Sequence, residues 1–297
     1  MKFLVTGGSG FLGSHLCDKL LAENHEVTCI DNYLTGFVKN TEHLISNSKF
    51  KLISADVINY SFNEKFDGIF HLASPTAPAQ YKKNPIATLE VNTIGTSKLI
   101  KLAMEQNIPF LYVSSVRVLD NTEFNCYIEA KRVGELLCLE YHKNKANIKI
   151  AKLGSVYGPR MAKDDSRVVP VFINQALQGK EITIFGDGAQ VDSFCYVSDM
   201  TEGLYKFMMS ERQGVLEFGG SETITILELA YLIKRLCSSD SKIILGYFNN
   251  SNRGRLARGR LANITEALAV LGWKPEININ TGMLSLVNDS LELTVQP

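Results

Sequence analysis

The stretch Thr6-Gly7-Gly8-Ser9-Gly10-Phe11-Leu12-Gly13 follows a short apolar run, Met1-Lys2-Phe3-Leu4-Val5, at the start of the 297-residue chain. The run reads as a buried strand, and the spaced glycines as a tight turn into a helix. Gly7 permits the turn, Gly10 lets backbone N–H groups approach a pyrophosphate, and Gly13 lets the helix lie close on the sheet. Val27-Thr28-Cys29-Ile30 predicts a second strand, and Asp31 ends it, eighteen residues beyond Gly13. A carboxylate there accepts hydrogen bonds from an adenosine ribose diol and repels a 2′-phosphate, which selects NAD over NADP. A lone glycine pattern is a weak signal. Strand, glycines, helix, strand and acid in order predict a dinucleotide-binding unit.

The alternation continues outward from that unit. Strands are predicted at 51–54, 68–72, 110–114 and 148–153, with a long helix over 86–106 and another over 127–142. The long helix carries Leu89, Thr93, Thr96, Ile100 and Ala103 along one stripe. This is the pattern of an α/β, Rossmann-like, doubly wound parallel sheet. Beyond Gly158-Pro159 the elements shorten: helices at 167–178, 199–210, 225–237 and 264–271, and strands near 182–185, 215–218 and 242–245. We read residues 1–154 as an NAD-binding domain. Residues 155–297 form a smaller mixed α/β substrate region, partly interleaved with the first and sharing a cleft with it.

Bulk properties narrow the class. Hydrophobic residues make up 45% of the chain, enough for a sizeable core. With 31 basic and 31 acidic residues, nothing in the charge balance draws the chain to nucleic acid or an anionic membrane. No apolar run approaches the length of a membrane span, and the first strand starts at Met1, so a cytoplasmic protein without a signal peptide is expected. The six cysteines, Cys17, Cys29, Cys126, Cys138, Cys195 and Cys237, lack metal or redox spacing and read as reduced and structural. His71 and His142 have no partnered ligand spacing, so no metal site is expected.

The chemistry is suggested by Ser114-Ser115 at the end of a strand, followed by Tyr127-Ile128-Glu129-Ala130-Lys131. Tyr127 and Lys131 are four apart and share a helix face. Lys131 and a positive nicotinamide lower the phenol pKa so that the tyrosinate acts as a base. Ser115 is placed to hydrogen-bond the hydroxyl being oxidised. A Tyr-x-x-x-Lys pair is common on helices; behind a nucleotide-binding half and a strand ending in serines, it reads as catalytic.

These residues carry a family resemblance. The chain resembles the extended short-chain dehydrogenase/reductases of the nucleotide-sugar epimerase and dehydratase group, and within it the UDP-glucuronate decarboxylases. The likeness runs through Thr6–Gly13, Asp31-Asn32-Tyr33-Leu34-Thr35-Gly36, His71-Leu72-Ala73-Ser74-Pro75 with Tyr81 and Asn84-Pro85, Asn92-Thr93-Ile94-Gly95-Thr96 and Tyr127–Lys131. It continues at Gly158-Pro159-Arg160, Gly186-Asp187-Gly188-Ala189-Gln190, Tyr196-Val197-Ser198-Asp199 and Leu271-Gly272-Trp273. The resemblance implies NAD contacts at Gly7, Gly10, Phe11, Leu12, Gly13, Asp31, Asn32, Thr35, Gly36, Leu72 and Ser74. It places Asp56 and Val57 beside the adenine and Ala73 and Asn92 along the cofactor path. It implies substrate contacts at Tyr81, Arg117, Ser155, Arg160, Arg167, Phe185, Gln190 and Arg260, a UDP-linked sugar, and a homodimer built on helices 86–106 and 127–142. The shared step it implies is oxidation of a sugar 4-hydroxyl to a 4-keto intermediate.

The departures matter as much. Arg117 stands where decarboxylases carry a glutamate, which argues against ordinary dehydration, because no carboxylate is left there as acid or base. Arg117 either holds a substrate carboxylate or is a surface arginine. Tyr127 lies only twelve positions after Ser115, a shorter spacing than in typical relatives. Asp192 replaces the arginine of a Gln-x-Arg segment, where it would repel a diphosphate, and Ser155 replaces an asparagine. Arg253, Arg255, Arg258 and Arg260 cluster near where relatives place a diphosphate-binding arginine, and a solvated basic loop explains most of them equally. Ile182, Ile184 and Phe185 line a pyrimidine pocket or fill an apolar strand. The leading reading is an NAD-dependent decarboxylase acting through the 4-keto sugar, with Ser115, Tyr127 and Lys131 as its catalytic residues. A 4-epimerase is the enzymatic alternative, and an NAD-binding pseudoenzyme or structural partner the alternative of another class.

Overall fold

The computed structural model describes residues 1–120, 124–162, 165–246 and 261–295. Its first strand, β1 (Lys2–Thr6), shows why the first residues decide the architecture. Side chains alternate across a strand, so Phe3 and Val5 enter one core and Leu4 the other, all fully buried. A strand buried on both faces belongs inside a parallel sheet covered by helices on each side. Helix α1 (Phe11–Ala22) follows, then β2 (Glu26–Asp31), β3 (Phe50–Ser54) and β4 (Gly68–His71).

The helix expected over 86–106 is not continuous. A short α2 (Pro78–Lys83) leads to α3 (Pro85–Glu90), a π-helical turn at Val91–Gly95, and α4 (Thr96–Gln106). The wide turn adds a residue to the helical repeat, and Asn92 within it is fully buried. Next come β5 (Phe110–Ser115), α5 (Cys126–Lys143) and β6 (Ile148–Leu153).

The remaining chain builds a second lobe and returns to the first. Its elements are β7 (Ser155–Tyr157), α6 (Val168–Leu177), β8 (Ile182–Phe185), β9 (Val191–Tyr196) and α7 (Val197–Met209). They continue through β10 (Gly214–Phe218), β11 (Thr223–Thr225), α8 (Ile226–Leu236), β12 (Ile243–Gly246), α9 (Thr265–Leu271) and α10 (Ile279–Val295). The main sheet has seven strands in the order β10-β6-β5-β4-β1-β2-β3, all parallel. Strand β10 joins its edge against β6, and α7 packs on α1, so chain from beyond residue 154 completes the first lobe. The second lobe has its own core, drawn from α6, β8, α8 and α10.

Strand order reverses at β1, which has β2 on one side and β4 on the other. The crevice outside the carboxyl ends of such strands is where ligands bind in open α/β sheets. Here the second lobe closes that crevice into a cavity of about 500 Å³ lined by residues of both lobes.

Candidate active site

At the carboxyl end of β1, Gly7 takes a left-handed φ of +70°, and its N–H donates to the Ile30 carbonyl at 2.9 Å. A Cβ there would lie 2.7 Å from the Ala73 Cα, and one on Gly13 would lie 2.2 Å from the Gly7 carbonyl oxygen. The glycines thus let the loop, α1 and the segment after β4 pack backbone against backbone. Gly10 occupies the N-cap of α1 with no side-chain cap, leaving the first amides of the helix for an anion. Phe11, Leu12, Leu72 and Ser74 line the same cavity.

Asp31 ends β2 beneath this loop. Its Oδ2 accepts the Ser9 amide at 2.9 Å and its Oδ1 the Tyr33 amide at 2.8 Å, and burial raises its pKa. Each oxygen keeps a lone pair for a ribose hydroxyl. Asn32 Nδ2 donates to Asp56 Oδ2 at 2.9 Å, and Thr35, Gly36 and Val57 complete that wall. Uncapped helix amides, a close-packed glycine turn and an acceptor carboxylate at this spacing fit NAD. Asn92 does not line the cavity. It sits behind the wall, accepting from Tyr112 Oη at 2.8 Å and donating to Ser74 Oγ, a residue of the wall, at 2.9 Å.

The cavity continues from this NAD end to the residues read as catalytic. Asn125 caps α5 by accepting the Ile128 amide at 3.0 Å, which starts the helix in time to place Tyr127 and Lys131 on one face. Tyr127, Lys131 and Ser115 all line the cavity. Lys131 Nζ donates to the Val113 carbonyl at 2.8 Å and lies 4.8 Å from the Tyr112 ring centroid. Burial pushes its pKa down to about 7, while the Glu135 carboxylate one turn further on pulls it up. Glu135 is itself held by Ser114 Oγ at 2.5 Å and Lys152 Nζ at 3.0 Å. Tyr81, read from the sequence as a substrate contact, is buried and stacks on Tyr127 with ring centroids 5.5 Å apart. It backs the phenol and does not line the cavity. His71, bonded to Thr6 Oγ1 at 2.7 Å and Thr96 Oγ1 at 3.1 Å, has its pKa pushed down to about 3 by burial and the Lys131 charge. It is a neutral structural residue, and no metal-ligand cluster occurs among the described residues.

The second lobe supplies the opposite wall, with Ser155, Arg160, Arg167, Phe185 and Gln190 lining it, and Arg117 lines the cavity from the turn after β5. Arg160 pairs with Asp18 at 2.7 Å, and Arg167 with Asp165 at 2.6 Å. Gln190 Nε2 donates to the Phe185 carbonyl at 3.2 Å, and its buried Oε1 has no protein partner. Arg253, Arg255, Arg258 and Arg260 lie outside the described residues. Ser155 Oγ donates to Asp192 Oδ2 at 2.8 Å, and the Arg117 charge acts on Asp192. A carboxylate from 75 positions further along the chain, that of Asp192, thus lines the same cavity as Arg117. Phe172, Thr183 and Ile226 also line this wall and escaped the sequence reading, being apolar or small residues that resemble core.

With that geometry established, comparison with known proteins is informative. The NAD dependent epimerase/dehydratase family matches residues 3–217. UDP-glucuronic acid decarboxylase 1 of Danio rerio is 39% identical over 300 residues, 95% of this chain and 71% of that protein. UDP-glucuronic acid decarboxylase 6 of Arabidopsis thaliana is 39% identical over 97% of this chain and 88% of its own. The solved UDP-glucuronic acid 4-epimerase from Bacillus cereus, in complex with UDP-glucuronic acid and NAD, superposes with a TM-score of 0.87 at 26% identity, covering 99% of this chain and all of that one. A match over more than two thirds of the sequence, with this fold and this dinucleotide cradle, means that the chain belongs to the NAD dependent epimerase/dehydratase family.

Proposed function

We propose that this protein decarboxylates UDP-glucuronic acid through a 4-keto sugar. The observation that carries the reading is the joining of Ser115, Tyr127, Lys131 and Arg117 in one cavity, in a chain 39% identical to a UDP-glucuronic acid decarboxylase. The glycine loop and Asp31 would hold NAD, which would supply a reversible hydride acceptor for C4 of the sugar. Tyr127 removes the proton of the 4-hydroxyl, and the Lys131 ammonium favours the phenolate form. Ser115 orients the same hydroxyl. Oxidation makes the substrate a β-keto acid, which loses carbon dioxide readily. Arg117 holds the C6 carboxylate in a charge-assisted pair.

The nucleotide end is supported by the orphan acceptor on Gln190. An imide N–H of uracil satisfies the buried Oε1, with Phe185 beside the ring. Two finer assignments belong to this reading. The exposed apolar residues Ile86 and Ile94, with Val133, Leu136 and Leu139 on α5, form the homodimer face. The six unpaired cysteines suit a reducing cytoplasm.

Purified protein is incubated with UDP-glucuronic acid and NAD, and the products are resolved by anion exchange and mass. Loss of carbon dioxide is the expected result. An isomer of unchanged mass establishes the 4-epimerase reading instead, which the likeness to the Bacillus cereus epimerase favours. Unaltered substrate from protein that binds NAD overturns both.

A further inference from the structure

Asp192 is a half-buried carboxylate on β9, facing the site from the second lobe. Ser155 on β7 donates to its Oδ2 at 2.8 Å and the Ser193 amide to its Oδ1 at 2.8 Å, so both oxygens are oriented. Burial raises its pKa, and the Arg117 charge offsets part of that rise. Arg117 is tied in turn to the hydride centre, because its own amide donates to Ser115 Oγ at 3.2 Å. Ser115 and Arg117 from one lobe, and Asp192 and Ser155 from the other, thus line one cavity.

Decarboxylation leaves an unmet requirement. When the C5–C6 bond of the 4-keto sugar breaks, its electron pair stays on the ring as an enolate over C5, C4 and O4. The ketone re-forms only when C5 takes a proton. Tyr127 serves O4, Lys131 is buried and bonded to Val113, and Asp165 is taken up by Arg167. We propose that Asp192, lining the same cavity as Arg117, is the acid that delivers this proton to C5. The inference rests on the decarboxylase reading. The step balances: carbon dioxide leaves, the Asp192 proton goes to C5, the enolate pair forms the C5–H bond, and Asp192 recovers a proton from water. One proton is consumed per carbon dioxide released. The same Arg117 that holds the substrate carboxylate then stabilises the Asp192 carboxylate left behind.

The test follows the fate of C5. Wild-type protein turns over UDP-glucuronic acid with NAD in D2O, and the UDP-pentose is examined by NMR. Delivery from a fixed acid places deuterium at one of the two C5 positions. Asp192→Asn lowers product formation by about a hundredfold or more, and what product forms carries deuterium at both positions, from unguided water. Calorimetry shows that this variant still binds UDP-glucuronic acid, and Asp192→Glu restores labelling on one face. Undiminished, single-face labelling in Asp192→Asn overturns the inference and leaves the decarboxylase reading standing. So does loss of facial selectivity in Asp120→Asn instead, Asp120 being another carboxylate on the cavity wall. Wild-type protein that binds NAD but leaves UDP-glucuronic acid unchanged overturns the reading and this inference with it.

Discussion

Replacing Lys131 with methionine isolates the cost of holding an ammonium in the floor of the site. Lys131 is 2% exposed, and burial lowers its pKa from 10.5 to about 7. Below pH 7 the lysine is protonated in both folded and unfolded chains, and the penalty for burying its charge is fully present. Between pH 7 and 10.5 the unfolded chain holds a proton that the folded chain lacks, so folded stability rises with pH. Above 10.5 neither holds it. At 1.36 kcal/mol per pKa unit, the full penalty is about 5 kcal/mol. The variant escapes it but leaves the Val113 carbonyl unpaired, which costs about 1–3 kcal/mol. Lys131→Met should therefore be more stable than wild type at pH 6 by about 2 kcal/mol or more. From pH 7 to pH 9 the wild type should close that gap by about 2 kcal/mol. Urea unfolding of both proteins, followed by circular dichroism at pH 6, 7, 8 and 9, measures the difference. Subtraction cancels every titrating group except those that feel Lys131, chiefly Glu135, Cys138 and His71. A difference that is flat from pH 6 to pH 9 would refute the reasoning, because it means the buried lysine keeps its proton throughout.

Three further outcomes are expected. Tyr127→Phe keeps the Tyr81 stack but removes the base, so turnover should fall by about a hundredfold or more while NAD affinity, read by calorimetry, stays at the wild-type value. Gly13→Ala puts a methyl 2.2 Å from the Gly7 carbonyl oxygen. The loop must shift, NAD binding should be lost in the same calorimetric assay, and thermal unfolding should show a loss of about 1–3 kcal/mol. Leu136→Asp places a charge on an exposed apolar face of α5 and should convert a dimer to monomers by light scattering, without lowering the unfolding midpoint of the monomer.

Some of this was readable because the information is local. The β1–glycine–α1–β2 unit lies within 31 consecutive residues, and each part has its own signature: alternation, φ-permissive glycines, helical spacing and a terminal acid. Tyr127 and Lys131 were placed together by the helical repeat alone. Other elements left weaker marks. The helix stripe over 86–106 does not reveal its π turn, because one added residue in the repeat blurs a stripe without breaking it. Strand β9 was missed because Asp192 and Ser193 interrupt its apolar pattern, Asp192 because it faces the cavity. Helix α10 buries Ile279, Met283, Leu286 and Val287 on one face, and the exposed Leu284 and Leu291 blur that stripe in the sequence.

The sequence by itself determined the nucleotide-binding unit, the α/β class and the Tyr–Lys pair, since each is specified by neighbours a few residues apart. The tertiary structure alone decided the substrate end. It brought Asp192 and Arg117 to one cavity across 75 residues, Arg160 against Asp18 across 142, and Tyr81 behind Tyr127. Such meetings follow from which strand ends adjoin and in what register, as where β7 pairs with β9 to bring Ser155 opposite Phe194. Packing of two lobes fixes those distances, and no local periodicity encodes them.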